Sequence, residues 1–170
     1  GSGSPAGSLL MTMAIYDDNS DAAGNYSMSF MNVQGGPLDN VADPDGGETI
    51  ASNDIKTGQF QQGVDFDAIT FTGGVNKRFL FTALATGAGT HTPCLSVYPP
   101  NGGGALVTSS SDQFDVLTTV LGTYTVVVED YLNDEAGTYT LSMVNLTSGP
   151  FTNGGDPNGG LITSNSIEYS

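Results

Sequence analysis

Residues 124–146, YTVVVEDYLNDEAGTYTLSMVNL, carry the clearest structural signal in the chain. Two runs rich in β-branched and aromatic residues, YTVVVED and YTLSMVNL, flank the turn-forming stretch NDEAG. Such runs have the two-residue period and the composition of β-strands. Residues 124–146 therefore predict a closing hairpin of two strands.

The sequence outside this hairpin has the same character. Further strand-like runs occupy residues 67–72, 78–85 and 94–98, and turn residues such as Pro99-Pro100-Asn101-Gly102 separate them. No stretch keeps apolar residues at a spacing of three and four through three helical turns. We therefore predict an all-β, jelly-roll-like antiparallel β-sandwich.

The second strand of the hairpin belongs to an internal repeat. Residues 24–47, GNYSMSFMNVQGGPLDNVADPDGG, match residues 137–160, GTYTLSMVNLTSGPFTNGGDPNGG, at 11 of 24 positions. The match extends upstream to Asp17 and Asp130 and, after a one-residue gap, downstream through the pairs Ile50/Ile162, Ser52/Ser164, Asn53/Asn165 and Ile55/Ile167. The offset of 113 residues, from Gly24 to Gly137, indicates a tandem repeat.

The repeat divides the chain into one whole unit and two partial ones. Residues 1–36 are predicted to be the closing hairpin of a partial repeat, 37–47 a linker, 48–147 a complete sandwich, and 148–170 a linker with the first strand of the next repeat. Incomplete sandwich pieces expose strand edges, which pair with another chain unless they are covered. The candidate assembly residues are Met11, Met13, Ile15, Tyr26, Met28, Phe30, Ile162, Ile167 and Tyr169.

The complete unit contains GVDFDAITFT at 63–72, LSVYPPNG at 95–102, GTYTVVVED at 122–130 and GTYTL at 137–141. In these motifs it resembles the bacterial pre-peptidase C-terminal (PPC) domain and its tandem-repeat relatives in large secreted proteins. The resemblance implies a jelly-roll-like sandwich, secretion, and an accessory role in binding, adhesion or assembly. Some relatives bind calcium, although the acidic cluster that precedes the first strand in collagenase relatives is lacking here.

The acidic composition restricts the partners. The chain has eighteen acidic and three basic residues and therefore a net charge of −15. This charge repels nucleic acid and anionic membrane surfaces. Calcium, which prefers oxygen ligands, is the candidate cofactor. Its candidate ligands are Asp43, Asp45 and Glu48 in a glycine-containing loop and the pair Asp65 and Asp67.

Each acidic set also has a simpler interpretation. The loop around Asp45 fits a plain linker between repeats, and Asp65 with Asp67 fits the solvated end of a strand whose Phe66 points inward. A third acidic cluster lies in the closing hairpin, where it fits an exposed, soluble tip. Its members are Asp17, Asp18 and Asp21 in the first copy and Glu129, Asp130 and Asp134 in the second.

The chain offers few catalytic groups. His91 lies three residues before Cys94, but neither a nucleophile elbow nor a helix N-terminus accompanies the pair. A single cysteine cannot form an internal disulfide, and its strand-like surroundings predict a buried thiol. We therefore predict no enzymatic activity.

The leading hypothesis is an extracellular or cell-surface structural module that assembles by β-strand complementation into a filament or tandem array. Its partner would be the chain itself, as a head-to-tail homopolymer or as neighbouring repeats, with calcium as a stabilising cation. The alternative is an accessory module of a secreted hydrolase or adhesin that binds extracellular polysaccharide or protein. In a third interpretation, residues 1–36 add strands to the same sandwich and the chain is a monomer.

Overall fold

The structure, a computed structural model, describes residues 12–16, 23–39 and 45–152. Within these ranges the chain forms strands but no helix, and therefore none that is long and apolar enough to cross a membrane. The strands are β1 (Asp54–Phe60), β2 (Phe66–Gly73), β3 (Lys77–Thr86), β4 (Pro93–Tyr98), β5 (Val107–Ser109), β6 (Gln113–Thr118), β7 (Gly122–Asp130) and β8 (Gly137–Asn145).

The eight strands form two four-stranded antiparallel sheets, with the orders β1-β8-β3-β6 and β2-β7-β4-β5. The pairs are nested, because β1 pairs with β8, β2 with β7, β3 with β6 and β4 with β5. A long hairpin that is rolled up on itself gives this pairing, which is that of a jelly roll. The predicted all-β sandwich is confirmed.

The core lies between the two sheets and is rich in aromatic rings. Alternate side chains of each strand point inward, as the two-residue period requires. Phe71 stacks on Tyr124 with ring centroids 5.3 Å apart, and Phe60 stacks on Tyr139 at 5.0 Å. All four rings are fully buried. Each of these stacks joins neighbouring strands of one sheet, and Phe71 also meets Phe79 and Phe81 of the opposite sheet edge-to-face at 5.0 and 5.3 Å, so aromatic contacts also join the two layers.

The closing strands do not form the predicted hairpin. β7 pairs with β2 and β4 in one sheet, whereas β8 pairs with β1 and β3 in the other. Residues 131–136 thus cross from one layer to the other. The prediction was wrong because periodicity tells which face of a strand is buried but not which strand is its neighbour.

The partial repeats contribute no strand to this sandwich within the described ranges. Residues 12–16 and 23–31 have no regular secondary structure, and all eight strands lie between residues 54 and 145. The predicted C-terminal strand at 161–170 lies outside the described residues, as do Met11, Ile162, Ile167 and Tyr169.

Candidate functional site

Two candidate calcium ligands, Asp45 and Asp65, lie on either side of Gln61. The side-chain amide of Gln61 donates to Asp45 Oδ2 at 3.2 Å, and its backbone N–H donates to Asp65 Oδ2 at 2.8 Å. Glu48 instead forms an ion pair with Lys56, with Oε2 and Nζ 2.7 Å apart. The structure therefore ties two of the predicted ligands to the same glutamine and pairs a third with a lysine.

Asp67 has a different role from Asp65. It is fully buried, and its Oδ2 accepts a 2.7 Å hydrogen bond from the hydroxyl of Tyr139. Phe66, the first residue of β2, is only half-buried. We interpreted Asp65 and Asp67 as the solvated end of a strand whose Phe66 points inward, and this was wrong. β2 places Asp67 on its core-facing side, opposite Val128 of β7.

Calcium remains a prediction. In the ranges that the structure describes, no group of three or more His, Cys, Asp or Glu side chains could hold a metal ion. Asp43, the remaining predicted ligand, lies outside those ranges. Asp45 and Asp65 are therefore the described carboxylates on which the prediction rests.

The carboxylate of Asp130 fixes the crossing between β7 and β8. Its Oδ1 accepts from the backbone N–H of Thr92 at 2.9 Å, and its Oδ2 accepts from those of Asp134 at 3.2 Å and Glu135 at 3.4 Å. Burial acts to raise the pKa of Asp130, but the three N–H donors outweigh it and hold the pKa below its ordinary value. Asp130 is thus a structural residue and not part of an exposed, soluble tip.

The Cys94 and His91 pair has no feature of an activated nucleophile. Cys94 is buried in β4, where burial and then the charge of Glu129 raise the pKa of its thiol. His91 is also buried; its Nε2 lies 2.7 Å from the carbonyl oxygen of Thr138, so this nitrogen donates to that oxygen. A thiol with a raised pKa stays protonated at neutral pH, where it is a poor nucleophile.

The assembly candidates correspond to core positions of the complete unit. With the offset of 113 residues, the five that the structure describes are exposed by 50–79 %: Met13, Ile15, Tyr26, Met28 and Phe30. Their counterparts in β7 and β8 are exposed by at most 3 %: Val126, Val128, Tyr139, Leu141 and Met143. The first copy therefore exposes the same side chains that close the core in the second.

The turn that follows the closing strand has the same conformation in both copies. Asn32 Oδ1 accepts from the N–H groups of residues 34 and 35, and its carbonyl oxygen accepts from Gly36 N–H at 2.8 Å. Asn145 accepts from residues 147, 148 and 149 in the same way, with Gly149 N–H at 2.9 Å. Gly36 and Gly149 have φ values of 59° and 64°, and both Gly-Pro bonds are cis. We call residues 32–38 the first closing turn and residues 145–151 the second closing turn.

The first closing turn lies against the outer face of the β2-β7-β4-β5 sheet. Thr125 Oγ1 donates to the carbonyl oxygen of Val33 at 2.8 Å. Gly46 is packed so closely that a Cβ there would lie 1.9 Å from the carbonyl oxygen of Leu38 and 3.5 Å from the backbone nitrogen of Ala68. Ala68 and Thr125 are buried although they point away from the core. This contact was not predicted, although the Asn, Gly and Pro residues shared by the two turns are a signal for it.

The second closing turn is fixed to the beginning of its own unit. The hydroxyl of Ser52 donates to the carbonyl oxygen of Pro150 at 2.8 Å and accepts from Asn145 N–H at the same distance. Sequence reasoning aligned Ser52 with Ser164 but assigned no role to either. The identity of the two serines across the repeat is the signal that could have found this role.

No protein-family model matches the chain, and neither does any curated protein. Among solved structures, the chain is similar to the pre-peptidase C-terminal domain of collagenase from Bacillus anthracis, with 20% identity and a TM-score of 0.45 over 58% of this chain and 95% of that one. It is also similar to PliG, a periplasmic lysozyme inhibitor of g-type lysozyme. For PliG from Aeromonas hydrophila the identity is 16% and the TM-score 0.44 over 58% and 96% of the two chains. For PliG from Salmonella Typhimurium the identity is 14% and the TM-score 0.43, over 58% of this chain and 98% of that one. The first of these structures is a PPC domain, the family that the sequence motifs resemble.

Proposed function

We propose that this chain is a non-enzymatic extracellular structural module that assembles by β-strand complementation, as neighbouring repeats of an array or as a head-to-tail filament. One observation carries the proposal: the exposed Tyr26, Met28 and Phe30 are the repeat counterparts of the buried Tyr139, Leu141 and Met143. The extracellular location rests on the resemblance of the motifs to modules of secreted proteins.

Burying the exposed side chains of Tyr26, Met28 and Phe30 in an interface would stabilise that interface substantially. Burying one large apolar side chain contributes about 1.5–3 kcal/mol. Tyr139, Leu141 and Met143 gain this burial because β8 lies between β1 and β3. Residues 24–32 therefore lack strands equivalent to β1 and β3. Because β1 and β3 of the described unit already pair with its own β8, another copy can supply an equivalent of β1 only from its C-terminal partial repeat.

The C-terminal residues match the first of these strands. Ile162, Ser164, Asn165 and Ile167 are identical to Ile50, Ser52, Asn53 and Ile55 at the beginning of the unit. In the sandwich, Ile55 of β1 lies opposite Ser142 of β8. The same register would place Ile167 of one copy opposite Ser29 of another, so the two partial repeats are complementary in sequence.

Mixing two defective variants tests the proposal. The variant Y26S/M28S/F30S lacks the acceptor side chains, and I162D/I167D lacks the donor side chains. We expect the native chain to form oligomers that grow with concentration, each variant alone to stay monomeric, and their mixture to give a one-to-one dimer through its single intact junction. Sedimentation velocity measures all four samples.

The matched control is V75S/L121S/L132S, which removes three apolar side chains that are exposed by 62–78 % but are not repeat counterparts of core residues. This variant should associate like the native chain. A native chain that is monomeric at all concentrations contradicts the proposal, and so does an acceptor variant that still forms oligomers. Circular dichroism melting should show an intact sandwich in every variant.

A further inference from the structure

The two closing turns share one conformation but differ in what lies against them. Val33 and Leu38 of the first turn are half-buried next to the outer face of the β2-β7-β4-β5 sheet. Their repeat counterparts in the second turn, Leu146 and Phe151, are each 43 % exposed. The second closing turn therefore has the shape of a docked element but is not docked within the described part of the chain.

We propose that the second closing turn docks on the outer face of the β2-β7-β4-β5 sheet of a following copy of this unit. Leu146 and Phe151 would take the places that Val33 and Leu38 occupy on the first unit. The carbonyl oxygen of Leu146 would accept a hydrogen bond from the hydroxyl of Thr125 in the following copy. The interface between successive units is then a turn on a sheet face, in addition to any exchanged strand.

The second closing turn is already in the conformation that docking requires. Its hydrogen bonds from Thr147, Ser148 and Gly149 to Asn145 measure 3.0, 3.1 and 2.9 Å, close to the 3.3, 3.0 and 2.8 Å of the docked first turn. Ser52 holds it in place from the beginning of the unit. An element that is ordered before binding loses less conformational entropy when it binds.

The length of the connecting chain also fits. The offset of 113 residues holds without a gap from Asp17 and Asp130 to Gly47 and Gly160. Gly46, where close approach to the turn leaves no room for a Cβ, has Gly159 as its counterpart. The following unit is therefore connected to the second turn by the same number of residues that connects the first turn to the described sandwich.

The charges favour this contact over others. The second closing turn, NLTSGPF, has no ionisable side chain. The cavity beside the docked first turn is lined on the sheet side by uncharged residues only: Thr70, Pro99, Pro100, Thr123 and Thr125. The chain has a net charge of −15, so most contacts between two units would bring carboxylates close together. Two uncharged surfaces can meet without this repulsion.

A two-unit chain tests the docking directly. Residues 1–170 followed by residues 59–170 complete the next unit, because Ser170 is the counterpart of Gly58. On a C94S background, a short bismaleimide crosslinker should join L146C to T125C of the second unit. The reference pair is V33C with T125C of the first unit, whose residues are in contact in the structure. Adding F151D should cause loss of the L146C crosslink and leave the reference crosslink unchanged.

The proposal is overturned if the reference pair crosslinks and the L146C pair does not, or if neither pair does. It is also overturned if L121C, exposed on another part of the unit, crosslinks to the second-unit T125C as fast as L146C. This inference rests on the proposed array of units. Because the two units are covalently joined, the crosslink reports docking whether or not separate chains exchange strands, so the two proposals fail independently.

Discussion

Tyr26 and Tyr139 show how one residue type has two roles in this chain. Tyr139 is fully buried, stacks on Phe60 and donates to the buried carboxylate of Asp67. Tyr26 occupies the same position of the repeat and is 70 % exposed. The side chain is the same in both copies, but among the described residues only Tyr139 is covered by other strands.

This contrast predicts the effect of removing one hydroxyl group. Y139F should lower the free energy of unfolding by about 1–3 kcal/mol, because a buried carboxylate loses a donor. Y26F, at the equivalent exposed position, should change it by less than about 0.5 kcal/mol. Urea denaturation of dilute, monomeric protein measures both values. Equal effects of the two substitutions would mean that the two tyrosines have similar surroundings, contrary to the structure.

At the level of strands, the sequence predicted five of the eight well. The runs at 67–72, 78–85, 94–98, 124–130 and 139–146 coincide with β2, β3, β4, β7 and β8 to within a few residues. β1 was not predicted as a run because it contains Gly58, which leaves room for the ring of Tyr139 on the neighbouring strand. β5 has only three residues, and β6 exposes Gln113 and Asp115.

Candidate assembly residues could be proposed where the repeat itself carried the information. Tyr26, Met28 and Phe30 could be proposed as assembly residues because their counterparts lie in a strand. The interpretation of Asp67 as part of a solvated strand end was wrong, because it depended on which face of β2 meets the core. The contact of Val33 with Thr125 brings together residues 92 positions apart, and no local pattern indicates such a distance.

The crossing from β7 to β8 predicts a specific pH dependence. Because the pKa of Asp130 in the folded chain lies below its ordinary value, its carboxylate stabilises the fold above that ordinary value, and this contribution is lost as the pH falls through the lower, folded pKa. D130N should therefore cost about 1–3 kcal/mol at pH 7. The difference in unfolding free energy between D130N and the native chain should shrink as the pH falls below the ordinary pKa of an aspartate.

Urea unfolding at several pH values measures this difference, with D112N as the control because Asp112 is exposed. D112N should be close to the native chain at every pH. A D130N variant that is as stable as the native chain at pH 7 would show that the three N–H groups do not need the charge.

At the scale of the whole molecule, charge opposes assembly. Of the three cations, Lys56 pairs with Glu48 and Arg78 with Asp115, and the chain as a whole carries a net charge of −15. Units that associate bring these charges closer together, and salt screens the repulsion over about 8 Å at physiological ionic strength. A cation bound at a fixed site would reduce the charge of each unit more effectively than diffuse salt.

Calcium should therefore act on both stability and association if it binds near Gln61, between Asp45 and Asp65. Extracellular calcium sites have dissociation constants of about 0.1–1 mM, so a few millimolar calcium would stabilise the fold by about 1–2 kcal/mol. Calcium should raise the melting temperature and the degree of association, measured by sedimentation, more than magnesium does at equal ionic strength. The variant D45N/D65N should lose this additional effect of calcium, and the control D112N should keep it. If the two cations have equal effects on the native chain, they act only by screening the repulsion between charges, and the calcium prediction is wrong.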